Sequence, residues 1–492
     1  MRMFFEAMLA QAQRDPTKIA FSDTAGTLTR AGLLAEVARL AGGFPPGARV
    51  IGLLMPNGRE YAVAQLACVA AGRIAVPLPT FFSPQQLAHV VRDAGVEFVL
   101  TQKGHFSALP VGLPHRLVAL DGAEGAAPEL VRGFGTISYT SGRTGEPKGV
   151  RHESGQVGWS TAALAEAIGA SEADSYLSVL PLALLLESIC AIFVPALVGG
   201  RVQFDTDLAE AVGRGAPSGL ANAFARARPT TGVLVPELLR LWVAELATTG
   251  RRAPDSLRFV AVGGAAVPPG VAVAAWQLGI PVHEGYGLSE CCSVVALNRP
   301  GQRAGASVGT PLRGLSVTIR NGEIHVDGPC VTDGYLGGGP PQRPWPTGDL
   351  GEIDQQGRLT VFGRRDNLII TGFGRNISPE WVEATLLADP GIAFCAITAA
   401  EAGLAALIVP TAQAAGWFAS AGADAIAARI AELCAVLPAY ARPARVELIS
   451  LAGAKAAGLL TDNGRIRRRV AQALLSGLST HPTVSSEERI EP

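Results

Sequence analysis

Lysine is scarce in this sequence, and charge of either sign is limited. The 492 residues include 41 Lys and Arg against 42 Asp and Glu, and charged residues make up only 17% of the chain. The formal net charge of −1 gives no overall attraction for nucleic acid or for an anionic membrane, so any anion site has to be local. Hydrophobic residues make up 48%, which excludes intrinsic disorder and is sufficient for a large buried core.

Cysteines are few and scattered. The seven Cys are odd in number and form no CxxC pair, so neither a disulfide framework nor a zinc site is indicated, and we expect buried free thiols. The N-terminal segment is interrupted by Glu6 and lacks an apolar stretch with a cleavage site, which argues against a signal peptide. These features predict a cytoplasmic protein.

Long uninterrupted hydrophobic runs are also lacking. The longest apolar stretch, residues 179–198, carries Glu187 and Ser188 at its centre and Pro181 and Pro195 near its ends. A charged residue at the centre of a membrane span is costly. We therefore predict a buried core segment here and no transmembrane segment.

Strand and helix patterns alternate along the first 300 residues. REYAVAQLACVAAG is typical of a helix that ends at Gly72. Apolar strand patterns recur at ARVIGLLMP, RIAVPLP, VEFVLT, LVAL, RVQF, TGVLVP, LRFVAVGG and IPVHEGYG. Strands separated by helices predict parallel sheets with helices on both faces.

From about Ser307 the pattern changes to short strands and turns. Asn321-Gly322 predicts a hairpin, and Gln356-Gly357 predicts a second one. Further on, Ser378 and Pro379 have the residue types of an N-cap and a first helical position. The fold class predicted is α/β, with a large N-terminal domain of mixed and parallel sheets over residues 1–364 that includes a β-rich subdomain at about 305–364. A small α+β domain over 365–475 and a polar tail over 476–492 follow.

The strongest local motif is ISYTSGRTGEPKGV, at residues 137–150. Its glycines let the backbone approach a ligand closely, and its hydroxyls and backbone N–H groups suit phosphate oxygens. Lys148 adds a point charge, and lysine occurs at only three other positions. Gly149 stands where the GxxxxGK[ST] nucleotide loop has a hydroxyl, so this is a different kind of phosphate loop. The alternative is a flexible surface turn.

A second motif, EGYGLSE at residues 284–290, follows an apolar strand. Tyr286 stands between two glycines, where its ring is available to stack on adenine. Ser289 is suited to a phosphoryl oxygen and Glu290 to a magnesium ion. A tight turn with a packing tyrosine is the alternative. Upstream, VGGAA at residues 262–266 ends another strand with small residues that leave room for a flat base.

Two further motifs lie closer to the C-terminus. Asp349 in PTGDLG can accept hydrogen bonds from two vicinal ribose hydroxyls, although an ordinary Asx-turn explains it equally well. Arg364 in GRRD lies where the pattern shifts again, which suggests a domain junction and a contact with ribose or phosphate.

In this order and at these distances, the four motifs resemble the ANL superfamily of adenylate-forming enzymes, which includes acyl- and aryl-CoA synthetases, adenylation domains of peptide synthetases and luciferases. The resemblance covers nearly the whole chain. It implies an enzyme of the AMP-forming acid–thiol ligase type, in which a carboxylic acid and ATP, with Mg²⁺, form an acyl-adenylate and pyrophosphate. The small C-terminal domain then rotates on a hinge and the acyl group passes to a thiol. We expect a hydrophobic acid and CoA, with a carrier-protein phosphopantetheine as the alternative acceptor.

The resemblance also implies roles for individual residues. Asp349 would bind the ribose with Arg364 nearby, Asp366 would be the hinge, and Gly372 and Gly374 would lie on the loop that admits the thiol. The nucleotide residues would be Thr140, Ser141, Gly142, Thr144, Gly145 and Lys148 for the β- and γ-phosphates, Gly264, Ala265, Tyr286 and Gly287 for adenine, Ser289 for the α-phosphate and Glu290 for magnesium.

The sequence departs from the family pattern at three positions. One is Arg143, in the phosphate loop, where the family usually has Ser or Thr and an extra cation beside triphosphate is tolerable. In TDNGRIRR, Arg465 stands where the family has its catalytic lysine, and its planar fork differs from a compact ammonium. This leaves an inactive nucleotide- or acyl-binding homologue as an alternative. In LPLALLLES, Leu184 replaces the customary histidine. Leu184 and Ser188 are assigned to the acyl pocket.

Overall fold

The computed structural model describes residues 1–125, 127–140, 147–303, 305, 307–370, 376–400, 403–460 and 466–478. Several predicted site residues lie outside these ranges, namely Ser141, Gly142, Thr144, Gly145, Gly372, Gly374 and Arg465. Within the described residues, no helix combines the length and the apolar character that a membrane crossing requires.

The strands are numbered in chain order. They are β1 (Ile19–Asp23), β2 (Gly26–Thr29), β3 (Val50–Leu54), β4 (Ile74–Pro77), β5 (Phe98–Thr101), β6 (His115–Leu117), β7 (Gly135–Thr140), β8 (Lys148–Glu153), β9 (Ser175–Ser178), β10 (Arg201–Phe204), β11 (Thr231–Leu234), β12 (Phe259–Val262), β13 (Val282–Leu288), β14 (Ser293–Leu297), β15 (Thr310–Pro311), β16 (Ser316–Arg320), β17 (Glu323–Asp327), β18 (Trp345–Ile353), β19 (Leu359–Arg364), β20 (Ile369–Ile370), β21 (Asn376–Ile377), β22 (Ile392–Ala400), β23 (Gly403–Pro410) and β24 (Pro443–Leu448).

The α-helices are numbered in the same way. They are α1 (Arg2–Arg14), α2 (Arg30–Gly42), α3 (Arg59–Ala70), α4 (Pro84–Asp93), α5 (Ser154–Ala167), α6 (Leu185–Ser188), α7 (Val194–Val198), α8 (Thr206–Gly213), α9 (Leu220–Ala227), α10 (Pro236–Thr249), α11 (Pro269–Gln277), α12 (Pro379–Leu386), α13 (Ala415–Ser420), α14 (Ala423–Leu433), α15 (Leu451–Ala456) and α16 (Arg468–Leu478). A π-helical segment, Ile189–Phe193, joins α6 to α7, and short 3₁₀ turns include Ser289–Cys291 and Arg365–Asn367.

Two sheets form the centre of the large N-terminal part. A nine-stranded sheet has the order β15-β14-β13-β12-β11-β9-β10-β1-β2, and its strands from β13 to β1 run parallel. A six-stranded sheet has the order β6-β5-β3-β4-β7-β8, in which only β8 is antiparallel. The predicted α/β class, with mixed and parallel sheets flanked by helices, is confirmed.

Three smaller sheets follow. Strands β16 to β19 form an antiparallel four-stranded sheet, whose first turn has Asn321 at φ 52° and Gly322 at φ 79°, as the predicted hairpin requires. Beyond it, β20 pairs with β21, and β22, β23 and β24 form a three-stranded sheet.

The buried apolar side chains divide along the chain. The largest cluster extends from Phe4 to Leu359 and includes residues 179–198, so the long apolar run is core. Two further clusters begin at Ile377 and Ala396 and draw only on the small C-terminal part. All seven cysteines are free and buried, as expected.

Three local predictions need correction. The strand predicted at LVAL lies earlier, at β6, because only residues 115–117 pair with β5. Ser378 has the N-cap position of α12 but makes no side-chain cap; its hydroxyl donates to Glu380 Oε2 at 2.9 Å instead. Helix α16 continues to Leu478, beyond the predicted start of the polar tail at residue 476.

Candidate functional site

The carboxyl ends of β12 and β13 bring two of the predicted motifs side by side. The strands are parallel neighbours, with Val262 opposite Glu284. Gly263 lies against β13, because a Cβ atom on it would be 2.9 Å from the Gly285 backbone oxygen, and the exposed residues Gly264 and Ala265 follow it. Gly264 has φ +88°, a left-handed conformation that favours glycine. This edge offers small residues and an aromatic ring at one place, as an adenine site requires.

Gly287 is required by strand packing. A Cβ atom there would lie 1.6 Å from the backbone oxygen of Ser293 on β14. Only a glycine allows β13 and β14 to approach this closely, and the pairing shifts register just before it. Gly287 therefore fixes the course of the chain between Tyr286 and Glu290.

Asp349 on β18 is the hub of a hydrogen-bonded group of predicted site residues. Its carboxylate accepts a hydrogen bond from the Tyr286 hydroxyl at 2.6 Å and another from Arg364 Nη1 at 3.0 Å. Asp349 and Arg364 are cross-strand neighbours on β18 and β19. Residues predicted separately from three motifs thus meet at one carboxylate, which retains lone pairs for two further donors.

The charge state of this hub follows from its burial. Asp349 is 8% exposed, and burial raises its pKa, while the hydrogen bonds from Tyr286 and the charge of Arg364 oppose that rise. Burial and the neighbouring carboxylate both raise the pKa of Tyr286, so its hydroxyl stays a donor. The Asp349 carboxylate, which the Tyr286 hydroxyl holds in position, is therefore preformed as an acceptor for hydroxyl groups.

The turn before Asp349 is held from a second side. Glu323 Oε1 accepts from the backbone N–H of Gly348 at 2.9 Å, and its other oxygen is paired with Arg365. Arg364 also donates to the carbonyl of Thr347 at 3.2 Å. Two consecutive arginines therefore attach the end of β19 to the strands that carry Asp349.

The predicted hinge, Asp366, lies in the 3₁₀ turn Arg365–Asn367. Its neighbour Asn367 donates to Glu380 Oε1 of α12 at 2.6 Å. Ile369, three residues beyond Asp366, already packs against the apolar cluster of the small C-terminal part.

Ser289 and Glu290 lie on a single 3₁₀ turn directly after β13. Glu290 Oε1 accepts a hydrogen bond from the hydroxyl of Tyr335. Within the described part of the chain, its Oε2 has no hydrogen-bond partner. A carboxylate beside a serine hydroxyl is the oxygen-rich donor set that Mg²⁺ prefers, so these residues fit the ion, and Glu290 would hold it.

Lys148 and Thr140 flank the predicted phosphate loop. They face each other at the ends of the antiparallel strands β7 and β8, so the register fixes both ends of the intervening segment. Lys148 is exposed, and its Nζ lies 5.8 Å from the centroid of the Tyr335 ring. Through Tyr335, the end of the loop is brought next to Glu290.

The segment assigned to the acyl pocket splits into an exposed and a buried part. Leu184 is 37% exposed at the start of α6, whereas Ser188 is 1% exposed and its hydroxyl donates to the Leu182 carbonyl at 2.7 Å. The Asn57 side chain fixes the backbone of this segment. Its Nδ2 donates to the Leu180 carbonyl at 2.6 Å, and its Oδ1 accepts from the Leu182 N–H at 2.8 Å.

A buried acid lies one turn along the same helix. Glu187 is fully buried and accepts a hydrogen bond from the Tyr176 hydroxyl at 2.8 Å. Burial raises the pKa of Glu187 to about 8, although hydroxyls of Ser178 and Tyr176 oppose the rise. At neutral pH its protonated form is therefore favoured.

Two residues of this site were missed by sequence reasoning. Tyr335 lies in the stretch GEIHVDGPCVTDGYLG, and Asn57 lies in LLMPNGRE. A tyrosine after a glycine and an asparagine after a proline are weak signals by themselves. Their contacts join segments that are 45 and 125 residues apart, which no local pattern reveals.

Comparison with known proteins places this arrangement in a family. The family model described as AMP-binding enzyme matches residues 8–336. The 2-succinylbenzoate–CoA ligase of Bacillus subtilis (strain 168) is 30% identical over 423 residues, covering 80% of this chain and 84% of that protein. A feruloyl-CoA synthase from Amycolatopsis sp. is 30% identical over 430 residues, covering 79% and 83%.

Solved structures agree with these relatives. The o-succinylbenzoate CoA synthetase of Bacillus subtilis, in complex with its acyl-adenylate intermediate, matches with a TM-score of 0.75 and 26% identity, over 94% of this chain and 97% of that one. The same enzyme with ATP and a magnesium ion matches with a TM-score of 0.74. With a family match across most of the large N-terminal part and these two relatives over four fifths of the chain, this protein belongs to the AMP-binding enzymes, and the predicted adenylate-forming superfamily is confirmed.

Proposed function

We propose that this chain activates a hydrophobic carboxylic acid with ATP, as an acyl-adenylate, and passes the acyl group to the thiol of CoA. One observation supports it above the others: Lys148, Glu290 and Tyr335 form one connected group, and Tyr286, Asp349 and Arg364 form another. The Tyr335 ring packs against Trp345 of β18, the strand that carries Asp349, which joins the groups.

The first step joins two anions, so charge neutralisation and alignment are its main demands. The acid's carboxylate attacks the α-phosphorus, and pyrophosphate leaves. Lys148, the first residue of β8, would neutralise phosphate charge. Glu290 would hold Mg²⁺, which when bound neutralises phosphate oxygens and aligns them. Asp349 and Tyr286 would hold the ribose and the base.

For the second step we propose that the small C-terminal part turns at Asp366. The two arginines before it are bound to the four-stranded sheet, so Asp366 is the first residue beyond those attachments. Gly372 and Gly374 would then border the path of the pantetheine arm, since residues without side chains leave room for it.

The acid is proposed to be hydrophobic on two grounds. Leu184 presents an exposed apolar side chain where the family pattern has a histidine. The two relatives are named for aryl carboxylates, 2-succinylbenzoate and a feruloyl group. Aryl and medium-chain acids are therefore the first substrates to test.

Pyrophosphate release in the presence of ATP, Mg²⁺ and a panel of aryl and fatty acids tests the proposal. We expect acid-dependent release, with acyl-CoA formed when CoA is added. Glu290→Gln should reduce release about 100-fold, because the metal loses its charged ligand. Glu432→Gln, at an exposed position on α14, is the matched control. No release with any acid would overturn the proposed function.

The thiol acceptor is tested separately. We expect CoA to accept the acyl group and a phosphopantetheinylated carrier protein to be a poor acceptor when each is supplied to the enzyme-bound adenylate. Faster transfer to the carrier protein would make the enzyme a carrier-loading one.

Arg465 is proposed to occupy the position of the catalytic lysine in the adenylation step. A lysine ammonium is compact and can approach both the acid and the α-phosphate, whereas a guanidinium is a planar fork. Arg465→Lys should therefore raise the rate of pyrophosphate release, by about tenfold. Thioester formation from a supplied acyl-adenylate should stay unchanged, and an equal effect on both steps would contradict this role.

A further inference from the structure

Tyr335 occupies the space between the two charged groups of opposite sign in the phosphate region. Its hydroxyl donates to Glu290 Oε1, and the ammonium of Lys148 lies 5.8 Å from the centroid of its ring. The ring of Trp345 meets it edge-on, at 5.9 Å between centroids. Tyr335 is thus in contact with both a phosphate-directed cation and the candidate magnesium ligand.

The backbone around Tyr335 is also fixed. Tyr335 forms an antiparallel bridge with Val150 of β8, and the N–H of Leu336 donates to the Gly149 carbonyl at 2.8 Å. Its position therefore depends on the same strand that begins with Lys148. The side chain is 37% exposed, so it borders the site and is not part of the core.

The hydrogen bond constrains the carboxylate. A carboxylate on a short turn can rotate, and a metal ligand that rotates binds weakly. With Oε1 held by the phenol, Oε2 is presented in one direction. The Tyr335 hydroxyl is the donor in this bond, and the carboxylate oxygen is the acceptor.

The ring has a second consequence. The described residues include no ion pair between Lys148 and Glu290, although both contact Tyr335. A cation over an aromatic face is stabilised there without giving up its proton or binding a carboxylate. The ring therefore keeps the ammonium available for phosphate and the carboxylate available for the metal.

We propose that Tyr335 is a positioning residue, which orients Glu290 for Mg²⁺ through its hydroxyl and keeps Glu290 apart from Lys148 through its ring. This inference rests on the proposed function, since it assigns magnesium to Glu290. It concerns a residue to which the resemblance gives no role.

Two substitutions separate the two effects. Tyr335→Phe removes the hydroxyl and keeps the ring, so the Mg²⁺ concentration for half-maximal pyrophosphate release should rise about tenfold, with kcat at saturating Mg²⁺ within about twofold of the unsubstituted enzyme. Tyr335→Leu removes the ring as well, so kcat should also fall and KM for ATP should rise. Tyr440→Phe, an exposed tyrosine of the small C-terminal part, is the matched control. The thermal midpoint of each variant reports whether it folds.

A binding measurement keeps this test independent of turnover. Mn²⁺ replaces Mg²⁺, and its electron paramagnetic resonance signal in the presence of a non-hydrolysable ATP analogue reports the affinity of the site. We expect about tenfold weaker Mn²⁺ binding in Tyr335→Phe. Unchanged Mn²⁺ affinity and unchanged Mg²⁺ dependence would overturn the inference, and so would a loss of kcat in Tyr335→Phe that Mg²⁺ does not restore. If the unsubstituted enzyme releases no pyrophosphate with any acid, the proposed function fails, while the Mn²⁺ measurement still decides whether Tyr335 orients Glu290.

Discussion

Single buried carboxylates in this protein differ in what surrounds them. Asp349 has a tyrosine hydroxyl and a guanidinium on its two oxygens, and it lies at the edge of the site. Glu187 has the Tyr176 hydroxyl on Oε2, and the side chain is fully buried in the core. The first arrangement suits a ligand contact, and the second makes ionisation costly.

Glu187 therefore predicts a pH dependence of stability. Its ordinary pKa of 4.5 is raised to about 8 in the folded chain, so the folded state keeps a proton that the unfolded state releases between these values. Stability falls as pH rises through that range, and Glu187→Gln, which cannot ionise, should remove this fall. At pH 8 the variant should be more stable than the unsubstituted protein by about 2 to 4 kcal/mol, and at pH 4.5 the two should be similar. Urea unfolding at both pH values measures this.

An exposed acid provides the control for that prediction. Glu124→Gln changes the same chemical group on the surface and should leave the pH dependence intact. A Glu187→Gln variant that loses stability equally at both pH values would contradict the raised pKa of Glu187.

Elements in the site depend on close backbone approach as much as on side chains. Strand β13 carries Tyr286 and leads into the turn of Ser289 and Glu290, β14 follows that turn, and the separation of the two strands is set at Gly287. A displaced β14 would move the turn that carries Glu290, the proposed magnesium ligand. The pairing of β13 with β14 is therefore sensitive to a single methyl group at position 287.

Gly287→Ala should be severely disruptive. Its Cβ would lie 1.6 Å from the Ser293 oxygen and 2.9 Å from the Val294 Cα, so the strands would have to separate. We expect a loss of about 3 kcal/mol of unfolding free energy and loss of pyrophosphate release. Chemical denaturation and the release assay measure the two effects.

Gly155 on α5 offers a control of opposite sign. A Cβ there meets nothing within 4 Å, and the position is helical, so Gly155→Ala should stabilise the protein by up to about 1 kcal/mol. Tolerance of alanine at Gly287 with full activity would refute the role of close strand approach.

The elements that sequence patterns predicted well are those set by local chemistry. The Asn321-Gly322 turn needs two left-handed residues in a row, and the sequence supplies them at the tip of alternating strands. Ser378 shows the limit: the sequence supplies an N-cap residue type, yet its hydroxyl donates to Glu380 Oε2 and accepts no hydrogen bond from a backbone N–H of the helix. Local pattern does not encode the direction in which this side chain points.

On the scale of the whole molecule, one arginine connects the large N-terminal part to the small C-terminal part. Arg240 of α10 donates to the carbonyl oxygens of Asp389, Ile392 and Ala393, at the start of β22. Burial lowers its pKa, as expected for a cation between packed elements. Hydrogen bonds from a charged donor are worth more than neutral ones, so this contact favours the observed placement of the two parts.

Arg240→Met should loosen that contact while keeping most of the apolar stem. We expect amide hydrogen exchange in residues 389–396 to become about tenfold faster, because about 1.4 kcal/mol of protection is lost with the charged donor. Hydrogen exchange followed by mass spectrometry measures it. Arg226→Met, on the exposed side of α9, should leave these residues unchanged, and an equal response to both variants would exclude a specific role for Arg240.

The site as a whole was predictable in its parts and only partly in its assembly. Tyr286, Asp349 and Glu290 each lie in a short sequence motif, and the order of those motifs was the basis of the family resemblance. The contacts of Tyr335 and Arg240 join segments 45 and about 150 residues apart, and they depend on how sheets pack and not on any local pattern. Long-range contacts of this kind were accessible only from the structure.

The attachments of Arg364 to Asp349 and of Arg365 to Glu323 have a consequence for the two chemical steps. Both guanidinium groups are bound to the four-stranded sheet, so the proposed turn at Asp366 would leave the proposed ribose site in place. Binding of the nucleotide would then not depend on which face of the small C-terminal part is turned toward the site. One bound adenylate would thus keep the same ribose contacts through both proposed steps, adenylate formation and thioester formation.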